Sequence, residues 1–232
     1  MQRRVTAILA GAALVTLAGW PVTTHTGYNH RVITTRLTLI EKTLAFVDRD
    51  LAMRRLTKEI AGGDGTPEER LMRMYEWVAV NIHDVPVGLP VIDDHVWNIF
   101  VRRYGAIDQR AEALALMASY DGMPASTVPL GKVSSRELVQ LTVVDVGNRL
   151  VVLDVNNRII FHNLSGNLAS VAELQADPSL IRANAAGITV DGVPYEEHFA
   201  RFQSFTPNFA RMQKQRVIPR LRAELSERVA GF

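Results

Sequence analysis

The sequence predicts an α+β domain in which helices pack on a small antiparallel sheet, carried behind an apolar N-terminal membrane-anchor helix. Three observations predict it. Helical periodicity and helix-start signals dominate up to about residue 120, and short β-branched runs separated by turn dipeptides follow from Ser126 to Phe161. An uncharged stretch lies behind Arg3 and Arg4 at the amino end. The chain has 232 residues, 47% of them hydrophobic, which suffices for one well-filled core plus a membrane segment.

The first element is Val5 to Val22, 18 apolar or neutral residues closed by Trp20-Pro21. A charged n-region followed by an apolar h-region reads as an export signal. Thr16-Leu17-Ala18 offers a small-residue cleavage site, while the stretch just reaches the length that spans a bilayer. We read it as an uncleaved anchor, with a cleaved signal peptide as the alternative. The arginines then stay in the cytoplasm by the positive-inside rule, and Trp20 and Tyr28 sit at the outer interface. Trp20 stands where a lipoprotein signal needs its lipidated cysteine, so lipid anchoring is excluded.

Beyond a polar spacer, Ile33, Leu37, Ile40, Leu44, Val47 and Leu51 recur at spacings of four, three, four, three and four. That is the seam of an amphipathic helix over about three heptads. Leu39, Phe46, Met53 and Ile60 recur every seven residues on a second face, so the helix has more apolar surface than a dimer seam needs. It is a candidate partner helix, for a second copy or another membrane protein. It stops at Gly62-Gly63-Asp64-Gly65, a hinge with no Gly-Lys-Ser/Thr behind it and therefore not a phosphate loop.

Thr66-Pro67-Glu68-Glu69 starts the next helix, with Thr66 as N-cap, Pro67 at the first helical position and Glu69 closing a capping box. Its apolar face is Leu71, Met74, Tyr75, Val78 and Ile82. The following loop carries His83-Asp84 and Asp93-Asp94-His95, whose spacing lacks the regularity of a metal motif. No metal or cofactor is expected. Asp93 or Asp94 is read as a cap for the segment containing Trp97.

A helix from about Ala106 to Ser119 follows, with Ile107, Ala111, Leu114 and Met117 expected inward and Gly122 beyond its end. Then the period changes. Ser126 to Leu130, Leu138 to Val146, Leu150 to Val155 and Ile159 to Phe161 read as antiparallel strands, with turns at Gly147-Asn148 and Asn156-Asn157. Ser170-x-x-Glu173 opens a short helix that Ala176-Asp177-Pro178 ends. The chain is helical again around Phe205 to Val229, broken near Pro219.

Four segments result: signal anchor and spacer (1–30), long amphipathic helix (31–63), central domain (64–182) and a basic helical extension (183–232). The net charge of +2 demands no nucleic-acid partner. From Arg211 to Arg228 six basic residues stand against two acidic ones, which reads as a solvated helix face. The absence of cysteine excludes disulfides, thiolate metal sites and thiol catalysis.

From Thr66 to about Leu180 the order of elements resembles the bacterial transglutaminase-like domain of the papain-like cysteine peptidase superfamily. The likeness rests on Thr66-Pro67-Glu68-Glu69 through Trp77 and Ile82, on Tyr104-Gly105-Ala106-Ile107-Asp108-Gln109 with Ala111 to Met117, and on Gly122-Met123-Pro124-Ala125. The strands Leu138 to Val144 and Leu150 to Asp154 complete it. The resemblance implies a cysteine at a helix N-terminus, a histidine on the neighbouring strand and an aspartate that orients it. In this chain the nucleophile position holds Ile107, the histidine position falls on Leu138 or Val139, and Asp154 alone matches. No histidine occurs between His95 and His162.

The resemblance therefore implies a degenerate triad and a membrane-anchored pseudoenzyme, in which Ile107 is expected to fill the former site. Bacterial envelope systems are the setting it suggests: an inner membrane crossed once by residues 5–22, with the C-terminal domain in the periplasm and other membrane or envelope proteins as partners. Trp97, Tyr104, Asp108, Gln109 and Asp154 mark a retained peptide or glycan cleft. Two alternatives remain: a divergent hydrolase using Asp108 and Asp154 as a carboxylate pair, and a structural coiled-coil homodimer.

Overall fold

A computed structural model describes residues 19–29, 31–131, 139–204, 206–220 and 222. The chain opens with a hairpin, β1 (Pro21–Tyr28) and β2 (Arg31–Thr38), paired antiparallel from Pro21↔Thr38 to Tyr28↔Arg31. Asn29, at φ 44°, lies in its connection, a left-handed position that Asn tolerates better than most residues. Helix α1 (Leu39–Ala61) follows directly, and α2 (Pro67–Asn81) begins after the glycine turn. A two-residue strand β3 (Ile92–Asp93), α3 (Trp97–Arg102) and α4 (Ile107–Tyr120) complete the helical half.

This start corrects the expected helix at 31–63. Thr38 is the N-cap of α1: its Oγ1 accepts from the Glu41 N–H at 3.3 Å and its N–H donates to Glu41 Oε2 at 2.8 Å. That capping box stops helix from extending backwards, and the β-branched run Val32-Ile33-Thr34-Thr35 pairs with β1 instead. Ile33 and Leu37 therefore lie on a strand, and the heptad seam across Thr38 is not a helix face. Pro21 and Val22, assigned to the membrane segment, belong to β1. Residues 5–18 of that segment lie outside the described residues. Among the described residues no helix is long and apolar enough to cross a membrane.

The second half is a four-stranded antiparallel sheet in the order β4-β5-β6-β7: Ala125–Leu130, Val139–Val146, Arg149–Asp154 and Ile159–Ile160. Gly147 and Asn148 both have positive φ, 61° and 68°, the two-residue turn that matches strand twist. Short helices α5 (Val171–Ala176) and α6 (Ser179–Asn184) follow, then the pair β8 (Thr189–Val190) and β9 (Val193–Pro194). A 3₁₀ segment spans Tyr195–Ser204, and α7 covers Ala210–Gln213.

The sheet divides two cores because its residues alternate between faces. On the helical side Leu71, Met74, Val78, Leu114 and Met117 meet Val144, Val151 and Leu153. On the other side Leu141, Val143, Val152 and Phe161 meet Leu174, Tyr195, Phe199 and Phe202. The second core crosses the boundary drawn after residue 182, so residues 190–202 are part of the domain rather than an extension. They pack there because Tyr195, Phe199 and Phe202 cover a sheet face that would otherwise be wet. Beyond them, among the described residues, α7 and residues 217–220 and 222 are helical, and the part of the expected helix from 223 to 229 lies outside the described residues. Pro219 falls in the first turn of its helix, where a missing N–H costs nothing, so it does not break one.

Helix α1 is tied to the body by its C-terminal half. Asp50, 5% exposed, accepts from Tyr120 Oη at 2.9 Å and from the Val217 N–H at 3.2 Å, and Met53 is fully buried. Its opposite face is open: Ile40, Leu44 and Leu51 are 49–62% exposed, and Val47 is exposed as well.

Candidate functional site

The start of α4 is the centre of the site. Its N-cap is Ala106, which has no side-chain acceptor, so Gln109 reaches back and its Oε1 accepts from the Ala106 N–H at 3.1 Å. Gln109 Oε1 also accepts from Arg102 Nη2 at 3.0 Å, and its Nε2 donates to the Ile92 carbonyl at 2.6 Å. Gly105 permits this closeness: a Cβ there would lie 3.1 Å from Gln109 Cβ and 3.3 Å from Ile99 Cγ2. Arg102 continues the brace by pairing with Asp94 at 2.7 Å and donating to the Tyr104 carbonyl. Gln109 is thus a buried strut that locks α4 to β3.

Around that helix start lies a groove of about 1440 Å³. Ile107, Asp108 and Glu112 of α4 form one side, Ser126, Thr127 and Pro129 of β4 with Gln140 of β5 another. Asp84 to Asp94, the hairpin at Gly27 and Val32, and residues 208–212 close the rest. Gly27 pairs with Asp93, and a Cβ on it would fall 3.0 Å from Asp93 Cβ, so a side chain there would crowd the pairing.

Ile107 is not a core residue. It is 36% exposed and lines the groove, because it occupies the first position of α4, where the helix axis has not yet entered the core. The expectation that it plugs the site is corrected: the groove is open in front of it.

Strand parity identifies the residue that faces it. Thr142 Oγ1 donates to the Ala111 carbonyl of α4 at 3.0 Å, so even-numbered residues of β5 point to the helix. Gln140 is on that side and lines the groove, whereas Val139 is 1% exposed in the second core on the opposite face. Val139 is therefore excluded as the position facing Ile107, and Leu138 lies outside the described residues. A third residue joins them. Asn156 Nδ2 donates to the Ile107 carbonyl at 3.0 Å and to the Gln140 carbonyl at 3.4 Å.

Asp154 is elsewhere. It is fully buried, and both carboxylate oxygens are occupied. Oδ1 accepts from the Asn156 and Asn157 N–H groups at 2.9 and 3.0 Å, and Oδ2 from Asn157 Nδ2 at 2.8 Å and Tyr195 Oη at 2.6 Å. Tyr195 belongs to the second core, so the carboxylate points away from the groove that Asp108 lines. Burial pushes its pKa up, although the Tyr195, Asn157 and Asn156 bonds oppose that. Asp108 and Asp154 do not share a site, which removes the carboxylate pair expected of a divergent hydrolase.

Of the five cleft residues expected from sequence, Asp108 and Gln109 line the groove. Trp97 instead stacks on Phe100 at 6.2 Å at the edge of the helical core, and Tyr104 lies under the Arg102 guanidinium at 5.6 Å. Neither lines the groove. Gln140 and Asn156 went unread. Gln140 did carry a signal, as a polar residue sharing the parity of Thr142 in an otherwise apolar strand; Asn156 carried none beyond its turn propensity.

The electrostatics of the groove are acidic. Glu112, 9% exposed, is pushed up by burial, held back by its ion pair with Arg211, and pushed further by Asp108 and Asp93. Arg110, 6% exposed, pairs with Asp84 at 2.6 Å. The expected capping role of the Asp93-Asp94-His95 loop is shared: the Trp97 N–H donates to His95 Nδ1 at 3.0 Å and Asn98 Nδ2 to Asp94 Oδ2 at 2.8 Å.

No protein-family model matches the chain, and no curated protein matches it. Solved structures similar to it include a chain described as a candidate cysteine protease from Cytophaga hutchinsonii, at 11% identity and TM-score 0.42 over 51% of this chain and 40% of that one. A candidate protease from Parabacteroides distasonis is similar at 14% identity and TM-score 0.37, over 53% of this chain and 28% of that one. A chain described as a TGase is similar at 12% identity and TM-score 0.38, over 69% of this chain and 50% of that one. The chain spans at most half the length of these solved chains.

Proposed function

We propose that the chain is a pseudoenzyme of transglutaminase-like fold, anchored in the membrane by the apolar segment ahead of β1, that acts outside the cytoplasm as a binding or scaffold subunit of a bacterial envelope complex. One observation carries the reading: at the start of α4 the groove is lined by Ile107 and Gln140, whose main-chain carbonyls are joined by the Asn156 side-chain amide. A branched alkyl group and two amides can neither attack a carbonyl nor accept a proton at neutral pH. In the family that the sequence resembles, the place of Ile107 is held by the nucleophile, and a base stands at the start of the neighbouring strand. Losing a triad's nucleophile and base leaves about 10³- to 10⁴-fold acceleration over water, far below what turnover by such an enzyme needs. The open groove supports retained binding.

A second feature supports the scaffold half of the reading. Ile40, Leu44, Val47 and Leu51 form an exposed apolar face on α1, next to the hairpin that follows the anchor segment. Such a face on a helix that leaves a membrane suits a neighbouring membrane or envelope protein, and the same face could serve a homodimer.

The test combines two measurements. The full chain, tagged at its C-terminus and isolated from its native membrane, co-purifies with envelope proteins, and the purified chain cleaves or cross-links no peptide in a broad substrate mixture. Turnover by the wild-type chain that disappears in Asp108→Asn would overturn the reading, as would a chain recovered alone from the soluble fraction.

A further inference from the structure

The N-terminal hairpin leaves one of its two edges open. On the β1 side the edge is taken: Gly27 and Tyr28 pair with Asp93 and Ile92 of β3, the Asn29 N–H donates to the Val91 carbonyl at 2.9 Å, and the Thr23 carbonyl accepts from Lys42 Nζ at 2.9 Å. These bonds fix the parity. Odd-numbered residues of β1 turn their main-chain groups toward β3, so its even-numbered residues bond β2. Through the register Tyr28↔Arg31, the residues of β2 that bond β1 are Arg31, Ile33, Thr35 and Leu37. The N–H and C=O groups of Val32, Thr34 and Arg36 therefore point outward, and among the described residues no strand pairs with them. Every residue from Arg31 to Arg36 is exposed. The β-branched run Val32-Ile33-Thr34-Thr35, with no proline and an unbroken register, makes that edge a template for another strand.

The charges select what pairs there. Residues 19–38 carry Arg31 and Arg36 and no carboxylate. Neither guanidinium has an ion-pair partner among the described residues. A second copy fits poorly, because antiparallel self-pairing centred on Ile33 and Thr34 sets Arg31 against Arg36 of the other copy at both ends. No other register helps, since β2 holds no acidic residue to bring across. We propose that the outer edge of β2 takes up an extended acidic segment of a partner polypeptide as a fourth, antiparallel strand of this sheet, with carboxylates beside Arg31 and Arg36 and β-branched residues between them. Main-chain bonds to Val32, Thr34 and Arg36 hold the segment, as in other cases of strand addition to an open edge. The two guanidiniums choose it: at an odd separation they lie on opposite faces of the strand, so the partner needs a carboxylate on each face. Such a site stands whether or not the groove binds anything, because it is built from main-chain groups of the hairpin.

The test is an anisotropy titration of the purified full chain, at low salt, with a fluorescein-labelled peptide Gly-Ser-Glu-Thr-Thr-Val-Val-Glu-Ser-Gly. The peptide binds, and raising the salt weakens it because exposed charges are screened. The same peptide with both Glu replaced by Lys binds at least about tenfold more weakly, given up to about fivefold per exposed cross-strand charge pair, and Arg31→Glu/Arg36→Glu reverses that preference. Methylating alternate peptide amides separates strand addition from plain charge attraction. N-methyl groups on the residues that face Val32 and Thr34 weaken binding at least about tenfold, whereas on the intervening residues, whose N–H groups point to solvent, they leave it within about twofold. Tolerance of both methylation patterns would overturn strand addition, and equal binding of the Glu and Lys peptides would overturn the acidic assignment. A peptide-free dimer in sedimentation that Thr34→Pro makes monomeric would give the edge to a second copy, since that change removes an outward N–H and spares the pairing with β1. Binding of neither peptide would overturn the whole inference. Co-purification from the native membrane judges the scaffold reading separately.

Discussion

The side-chain amide of Asn156 donates to the main-chain carbonyl of Ile107 at 3.0 Å and to that of Gln140 at 3.4 Å, joining the first turn of α4 to the inner face of β5. A single neutral group therefore sets the width of the groove floor. Its two acceptors are carbonyls, so the clamp carries no proton and has no pH dependence of its own.

Asn156→Ala removes both bonds and is expected to cost about 1–2 kcal/mol, read as a lower urea midpoint with an unchanged m-value. Asn156→Asp is the sharper variant. It sets a carboxylate against two carbonyl oxygens and lowers stability further than the alanine does.

Ile107→Cys introduces the molecule's sole thiol, so labelling reports one site without background. At 36% exposure on the groove it reacts with a maleimide under native conditions, whereas Val139→Cys, 1% exposed in the wild type, is protected until the chain unfolds. Protection of the Ile107→Cys thiol would show that the groove is closed at this point. Its place at a helix N-terminus also lowers its pKa below the ordinary thiol value.

Tyr195→Phe leaves Asp154 Oδ2 with Asn157 as its remaining partner. A hydrogen bond to a buried charged group is worth about 1.5–3 kcal/mol, and a stability loss of that size, read as a lower melting temperature, is expected, with groove binding unchanged. A loss of ligand binding larger than the loss of stability would place Asp154 in the site after all.

Acid should weaken the fold through His95. Burial, and then the charge of Arg49, lower its imidazole pKa from 6.5 to about 4. The unfolded chain therefore binds more protons between those values, and stability that is complete above pH 6.5 is lost as pH falls toward 4. The shift corresponds to at most about 3 kcal/mol. Protonation also removes the acceptor that His95 Nδ1 offers the Trp97 N–H. Denaturation midpoints across this window test it, with His95→Gln flattening the slope.

Helix α1 should behave as two faces. Leu44→Glu and Leu51→Glu, at 62% and 60% exposure, change stability by no more than about 0.5 kcal/mol but abolish capture of envelope partners. Met53→Ala, fully buried a few residues on, costs about 2–5 kcal/mol.

Much of the α+β architecture was legible where the signal is short-range. The capping boxes at Thr66/Glu69 and Ser170/Glu173 form as read, because each needs only residues three apart. Gly147-Asn148 makes its turn for the same reason. Thr38 and Glu41 carried an identical box that a heptad pattern from Ile33 to Leu51 overrode. The pattern was real, but its first two members satisfy a strand as well as a helix. The site was less legible. Asp108 and Gln109 were identified, yet Gln109 proves to be a strut, and Ile107, placed inward by helical period, stands at the helix mouth where that period does not govern exposure.

The sequence by itself determined that no thiol or disulfide chemistry exists in this chain, where most helices start, and that β strands follow helices. These depend on composition and on neighbours within one turn. Only the tertiary structure decided which face of β5 meets α4, that Asp154 is turned into the second core by Tyr195, and that Asp93 and Asp108 line one groove. Those facts depend on pleat parity and on contacts between residues tens of positions apart, which local sequence does not encode.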